Sequence, residues 1–429
     1  MDIKLTIAFP TPEFVSEETF GGLATYIYKT SIYLKALEHN PIIFLLSDRN
    51  EETIYENVSL IRVKQAKQWW FWFINIFTLF LFNPALMILS KSASINNAIR
   101  KVHANKSIDI IQYSNAQCFS ILAPKSIPHC LRLSQYYYEY SKFIFEKPRS
   151  FRNRQKLLIE KLCIIKARNA IYGPSSTIGQ HVTERLGIPV KIIRTPYFNL
   201  DKKTVLTTLS DEPPFILYFG TLSSSKGVDL IAEIIYNVLE EHKDIRFKFV
   251  GRNTKVDLKD NSILRSIKNT FRSQKSNKIS ATYLDLLKAS AKEHSNRIDY
   301  SPVVKPKKMQ TILGGACAVV LPSRIDNFPN TLSESLSLGK IVIVPTRSSL
   351  DEIVVHLESG FIFNNGDAQS LMHWVSHVLQ LSKKEKLIIS HGALNVVKSL
   401  YPENVILKDL YPFYLSKITS NNVRNSRIY

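Results

Sequence analysis

The sequence predicts an α/β protein of two successive parallel-sheet domains, and three observations carry that prediction. Short apolar runs alternate with longer stretches whose apolar residues recur near the helical period. A polar break, Asp201–Pro214, interrupts the alternation and contains Pro213-Pro214. The pattern then restarts with the same opening unit, a strand, a glycine loop and a helix. At 429 residues the chain exceeds one ordinary core, which also favours two domains. A hydrophobic content of 45% excludes a disordered chain.

The elements follow in order. Ile3–Phe9 reads as a first strand, ended by Pro10-Thr11-Pro12, and Gly21-Gly22 precedes a helix over Leu23–Leu37. Pro41–Leu46, Ser107–Tyr113, His129–Leu133, Asn169–Tyr172 and Val190–Arg194 read as further strands. In the second half, Phe215–Phe219 is a strand, Gly220–Gly227 a loop and Val228–Leu239 a helix. Arg246–Val250, Ala316–Leu321, Ile341–Val344 and Gly360–Phe363 continue the series. The domains are expected over residues 1–200 and 213–399.

One stretch stands apart. Gln68 to Ser90 carries no charge, and Trp69–Phe82 is almost wholly aromatic or aliphatic. It has the length of a membrane span, yet it holds Asn75, Asn83 and Pro84 and lies between strands of one sheet. A crossing there would divide that sheet across a bilayer. A core or interdomain helix is therefore favoured, with a helix lying in the membrane interface next.

The net charge of +20 favours anionic partners. Cys118, Cys130, Cys163 and Cys317 form neither a C-x-x-C pair nor a metal knuckle, which fits a reducing cytoplasm. The N-terminus lacks the apolar core and cleavage region of a signal peptide.

The sharpest motif is Leu321–Gly339, LPSRIDNFPNTLSESLSLG. A strand ends at Pro322-Ser323, a loop carries Asp326, and Thr331 opens a helix with Glu334 in its first turns. Backbone N–H groups at such a helix start bind anions such as a diphosphate. A carboxylate before the helix can accept bonds from sugar hydroxyls, and one further in can take a ribose diol. The competing reading is an ordinary helix with an acidic first turn, which the macrodipole favours by itself.

This segment resembles the E-x7-E signature of retaining GT-B glycosyltransferases, family 4 above all, with Asp326 in place of the first Glu. Ile341–Pro345, Asp351-Glu352-Ile353, Glu358-Ser359-Gly360-Phe361 and Asn365-Gly366-Asp367 continue the resemblance. So does Ile216–Gly227, ILYFGTLSSSKG, where Lys226 matches the family's diphosphate-neutralising lysine and Thr221 stands where arginine is usual. The resemblance implies two Rossmann-like domains facing each other across a cleft, with a C-terminal helix over 400–420 packing back on the first. It implies Lys226 and Asp326 as catalytic residues. Donor contacts would come from Gly21, Gly22, Gly220, Thr221, Val303, Asn327, Phe328, Pro329, Asn330, Thr331, Leu332 and Glu334. The nucleotide-sugar donor would be held without a metal, since no Asp-x-Asp is present.

The resemblance implies that the acceptor, a glycan or lipid-linked hydroxyl, is bound by the first domain. Its candidates are Ser114, Asn115, Arg132, Ser134 and Tyr136, which follow apparent strands. Two basic stretches, Arg149, Arg152, Arg154, Lys156 and Arg265, Lys268, Arg272, Lys275, suit an anionic membrane surface or simply solvent. Nucleic acid is disfavoured because no recognition module is visible. The expected activity is retaining transfer of a hexose-type sugar in surface polysaccharide or lipopolysaccharide synthesis. The rivals are a sugar-nucleotide-binding GT-B protein without turnover and a basic membrane-surface or nucleic-acid-binding scaffold.

Overall fold

The structure is a computed structural model that describes residues 3–17, 21–66, 73–74, 76, 80–144, 150–198, 214–256 and 281–425. The chain forms two compact units, Met1–Phe198 with Leu400–Tyr429, and Asn199–Ser399. The polar break at 201–213 and the basic stretch at 265–275 lie outside the described residues.

Among its described residues the first unit carries eight strands: β1 (Thr6–Thr11), β2 (Asn40–Ser47), β3 (Glu51–Tyr55), β4 (Val58–Lys64), β5 (Ile110–Ser114), β6 (His129–Arg132), β7 (Ile171–Gly173) and β8 (Lys191–Ile192). Their order is β3-β4-β2-β1-β5-β6-β7-β8. All neighbours are parallel except β3 and β4, which form an antiparallel hairpin at the edge. Helices α1 (Gly22–Ala36), α2 (Asn83–Asn105), α3 (Tyr137–Ile144), α4 (Phe151–Lys166) and α5 (Ser176–Leu186) connect them.

Successive strand side chains alternate between two cores. Ala8, Ile42 and Phe44 pack with Ile95 and Ile99 of α2, while Ile7, Phe9, Ile43 and Leu45 face the other way. On that second face lie Val405, Ile406, Leu410 and Tyr414 from the C-terminal segment, all buried. The Tyr414 hydroxyl donates to Gln112 Oε1, which also accepts from Tyr172 at 2.7 Å, so a buried polar joint fixes the register of the C-terminal helix, Tyr411–Asn425.

Among its described residues the second unit has six parallel strands: β9 (Phe215–Phe219), β10 (Arg246–Val250), β11 (Ile298–Ser301), β12 (Ala318–Val320), β13 (Val342–Pro345) and β14 (Gly360–Phe363). The order is β11-β10-β9-β12-β13-β14. Its helices are α6 (Val228–Glu241), α7 (Tyr283–Ala291), α8 (Pro306–Gly315), α9 (Asn330–Ser337), α10 (Ala368–Gln380) and α11 (Lys383–Val397). Ile231, Ile235 and Val238 of α6 interlock with Phe247, Phe249 and Leu287 in one core.

The stretch Trp69–Phe82 lies largely outside the described residues. Its described members do not join a core: Phe73, Ile74, Ile76, Phe80, Leu81 and Phe82 are all exposed. The expected core placement is corrected at these positions, since the first buried residue of α2 is Leu86. No helix among the described residues is long and apolar enough to cross a membrane.

Candidate active site

In the second sheet the strand order reverses between β9 and β12. Crossovers leave these two strands to opposite sides, which opens a crevice at their carboxyl ends. Lys226 follows β9 and Asp326 follows β12. The Lys226 ammonium donates to Asp326 Oδ2, with side-chain exposures of 29% and 10%. The fold thus brings together two residues a hundred positions apart.

Local sequence explains the approach. Gly227 has φ +69°, and a Cβ there would lie 1.9 Å from the Pro322 carbonyl oxygen. Only glycine lets the loop after β9 press its backbone onto the exit of β12. Arg324 then stitches the two loops. Its guanidinium grips both carboxylate oxygens of buried Asp229 at 2.6 and 2.7 Å and bonds the Ser224 carbonyl at 2.7 Å. Its backbone N–H donates to the Ser225 carbonyl at 3.1 Å. Gly220 sits at the same edge. Its carbonyl would lie 2.0 Å from a Cβ on Gly251, so β9 and β10 also end backbone to backbone.

The Asp326 loop is held from outside itself. Ser349 Oγ donates to the Asp326 carbonyl at 3.1 Å and accepts from Phe328 N at 3.0 Å. Phe328 is buried at φ +63°, a left-handed conformation that a non-glycine residue keeps only when its surroundings impose it. Asp326 Oδ1 accepts from Asn327 N at 2.9 Å. Beneath, the buried Tyr218 hydroxyl donates to the Thr221 carbonyl at 2.7 Å. Burial, with the Asp326 charge nearby, holds that hydroxyl well above the usual tyrosine range. The Thr221 side chain is exposed.

Helix α9 begins after Pro329, and among the described residues no side chain caps it. Its first turn, with half-buried Asn330 and Thr331 and buried Leu332, holds no acidic residue. Glu334 is half-buried one turn further in. The acidic-first-turn reading of Glu334 is therefore corrected: the macrodipole offers little at that depth. Val303 follows β11 and is 73% exposed. Lys226, Asp326, the α9 start and Val303 all lie at the carboxyl edge of one sheet.

The first unit has its own reversal, between β1 and β5. Here the protein fills its own positions. Gly21 and Gly22 open α1, but the Glu13 carboxylate accepts from Gly21 N at 3.1 Å and Ala24 N at 3.3 Å. Ser114 Oγ donates to Ser134 Oγ at 2.8 Å. Asn115 accepts from Ser134 N at 2.8 Å and donates to Glu160 Oε1 at 2.8 Å. Glu160 is buried and also takes the Tyr137 N–H at 3.0 Å. Burial pushes its carboxyl up to about 7, against the lowering effect of these bonds. Arg132 is buried, bonds Ser134 Oγ and Thr195 Oγ1, and lies 3.9 Å over the Tyr26 ring. Tyr136 is 2% exposed. Sequence reasoning missed Arg324, Asp229, Ser349, Glu13 and Glu160. Of these only Arg324 stood inside a recognisable motif.

Residues 202–393 match the family described as Glycosyl transferases group 1. Among curated proteins, Spore coat protein SA of Bacillus subtilis is 22% identical over 208 residues, 44% of this chain and 50% of that protein. The match thus spans about half the relative's length. Among solved structures, sucrose-phosphate synthase from Thermosynechococcus elongatus aligns over 96% of this chain and all of its own, with TM-score 0.68 and 14% identity. HepE from Anabaena in complex with UDP-glucose aligns over 98% and 100%, with TM-score 0.62 and 12% identity. The fold is GT-B. The family match lies within the second unit of that GT-B fold, and the Lys226–Asp326 pair is among the matched residues.

Proposed function

We propose that the protein is a retaining glycosyltransferase of the family 4 type. It moves a hexose-type sugar from a nucleoside diphosphate sugar to a hydroxyl of a glycan or glycolipid. The observation that carries this reading is the meeting of Lys226 and Asp326 beside the uncapped start of α9, at the reversal of the second sheet. The GT-B neighbour whose structure contains UDP-glucose supports the donor class.

The roles follow from charge. The α9 amides and Lys226 hold the diphosphate, and Lys226 neutralises the charge that grows there as the glycosidic bond breaks. A phosphate arriving at Lys226 competes with Asp326 for the ammonium. Asp326 is then released to accept bonds from the sugar hydroxyls, while Glu334 takes the ribose diol. Gly220, Thr221, Asn327, Phe328, Pro329, Asn330, Thr331 and Leu332 shape the phosphate and sugar contacts, and Val303 lines the base. Gly21 and Gly22 can act on a donor only if Glu13 gives up the α1 amides. Buried Ser114, Asn115, Arg132 and Tyr136, with half-buried Ser134, hold the loops around an acceptor rather than contact it over most of their surface. No metal enters the scheme. The four free thiols suit a cytoplasmic location, with the basic surface at an anionic membrane.

A thermal-shift panel of nucleotides and nucleotide sugars tests the donor class, because a bound ligand raises the melting temperature by mass action. One nucleoside diphosphate and its sugar should stabilise the protein, and Glu334→Ala should weaken both equally. No response to any nucleotide would end the reading. Equal affinity of Glu334→Ala and wild type would assign Glu334 to the helix alone.

A further inference from the structure

The first unit carries an apolar face with cations along both borders. On α4, Phe151, Leu158, Leu162 and Ile165 are 50%, 56%, 42% and 37% exposed. At the helical angle per residue these four fall within an arc of about 60°. Exposed Arg152 flanks the arc on one side, exposed Arg154 and Lys161 on the other. The one carboxylate of α4, Glu160, is buried on the opposite side.

The face continues beyond the helix. The Phe82 ring meets Phe151 edge-on at 5.5 Å. Gln155 bonds the Leu81 carbonyl at 2.6 Å and accepts from Ala85 N at 3.2 Å. These contacts lay exposed Phe80, Leu81 and Phe82 against the first half of α4. Single exposed apolar residues are ordinary, but a row shared by two segments and bordered by one sign of charge marks a binding surface.

We propose that this face docks the protein on an anionic phospholipid bilayer. Helix α4 lies in the plane of the interface, its apolar arc among the acyl chains and Arg152, Arg154 and Lys161 at the headgroup phosphates. The proposal rests on the peripheral-membrane part of the function above and assigns it a location. Charge selects the occupant. A second copy meeting this face symmetrically would set cation against cation, whereas anionic headgroups complement both borders at once. Aromatic side chains among the exposed residues suit the depth of the headgroup boundary.

The test is flotation of the full chain with vesicles of phosphatidylcholine alone, or with about one third phosphatidylglycerol to supply anionic charge. The wild type should float with the anionic vesicles. Leu158→Glu/Leu162→Glu should lower its partitioning about ten-fold or more. Arg154→Glu/Lys161→Glu should lose binding while retaining the apolar arc. All four positions are exposed, so melting curves should match the wild type, and Leu158→Ala/Leu162→Ala supplies a milder pair with an intermediate loss. Flotation unchanged in both glutamate variants overturns this face but leaves membrane binding elsewhere intact. A wild type that never floats overturns the peripheral-membrane reading itself. A wild-type dimer in sedimentation that Leu158→Glu/Leu162→Glu dissociates, with flotation unchanged, assigns the face to a second copy and overturns the proposal.

Discussion

The two units place a reversal of strand order at the middle of each sheet, yet they use it in opposite ways. In the second unit, half-exposed Lys226 meets buried Asp326 there, beside a helix start that no described side chain caps. In the first unit, Glu13 holds the amides of α1, and Ser114 and Asn115 bond to Ser134 and Glu160. Topology decides where a crevice can form. The side chains decide whether it is left to bind something else or closed by the protein itself.

The largest expected effect concerns the second crevice. Lys226→Ala should lose about 10²–10³-fold in kcat, with a smaller loss of donor affinity, because the developing charge exceeds the ground-state charge. Steady-state kinetics on folded variants decide this, and a kcat within a few-fold of wild type would remove both the role and the register of the motif. Arg324→Met should destabilise the second unit by about 3 kcal/mol, since it strips a buried carboxylate of a bidentate partner. Denaturant melts would show it, and a neutral result would mean the two loops hold together without the stitch.

In the first unit, Glu160 supplies a pH test. Its folded pKa, about 7, lies above its unfolded value, so its favourable contribution is present in acid and is lost as pH rises through about 7. Glu160→Gln should therefore be more stable than wild type at pH 8, by about 2 kcal/mol, and the difference should fade toward pH 5. Melting temperatures across that range check the sign. A variant less stable than wild type at pH 8 would mean that the ionised carboxylate is worth more than its burial costs. The smallest effect is at Glu13. Glu13→Ala should cost about 1 kcal/mol as a lost helix cap. Nucleoside diphosphate affinity should stay within about two-fold, and a larger change measured by calorimetry would bring Gly21 and Gly22 into the nucleotide's contacts.

The same contrast shows what the sequence could reveal. Phe215–Phe219, Arg246–Val250 and Gly360–Phe363 were legible to the residue, because glycines and charged turns bound them sharply. The hairpin Glu51–Tyr55 with Val58–Lys64 was not. It is a half-exposed edge whose turn, Glu56-Asn57, takes left-handed φ of 44° and 67° without the glycine that usually announces it. Lys226 and Asp326 could be found because each sits in a motif of its own. The bond from Arg324 to Asp229 spans 95 positions and that from Phe328 to Ser349 spans 21, and neither side chain is distinctive alone. The acceptor candidates were chosen for following strands, a criterion that cannot tell a residue pointing outward from one bonding its neighbour.

Hydrogen exchange in the presence of a nucleoside diphosphate tests the central claim most directly, since it reports both crevices in one experiment. Saturating ligand should slow exchange in peptides covering residues 220–227 and 326–338, at the reversal of the second sheet. Protection confined to the first unit, around residues 13–25 or 114–136, would contradict the account.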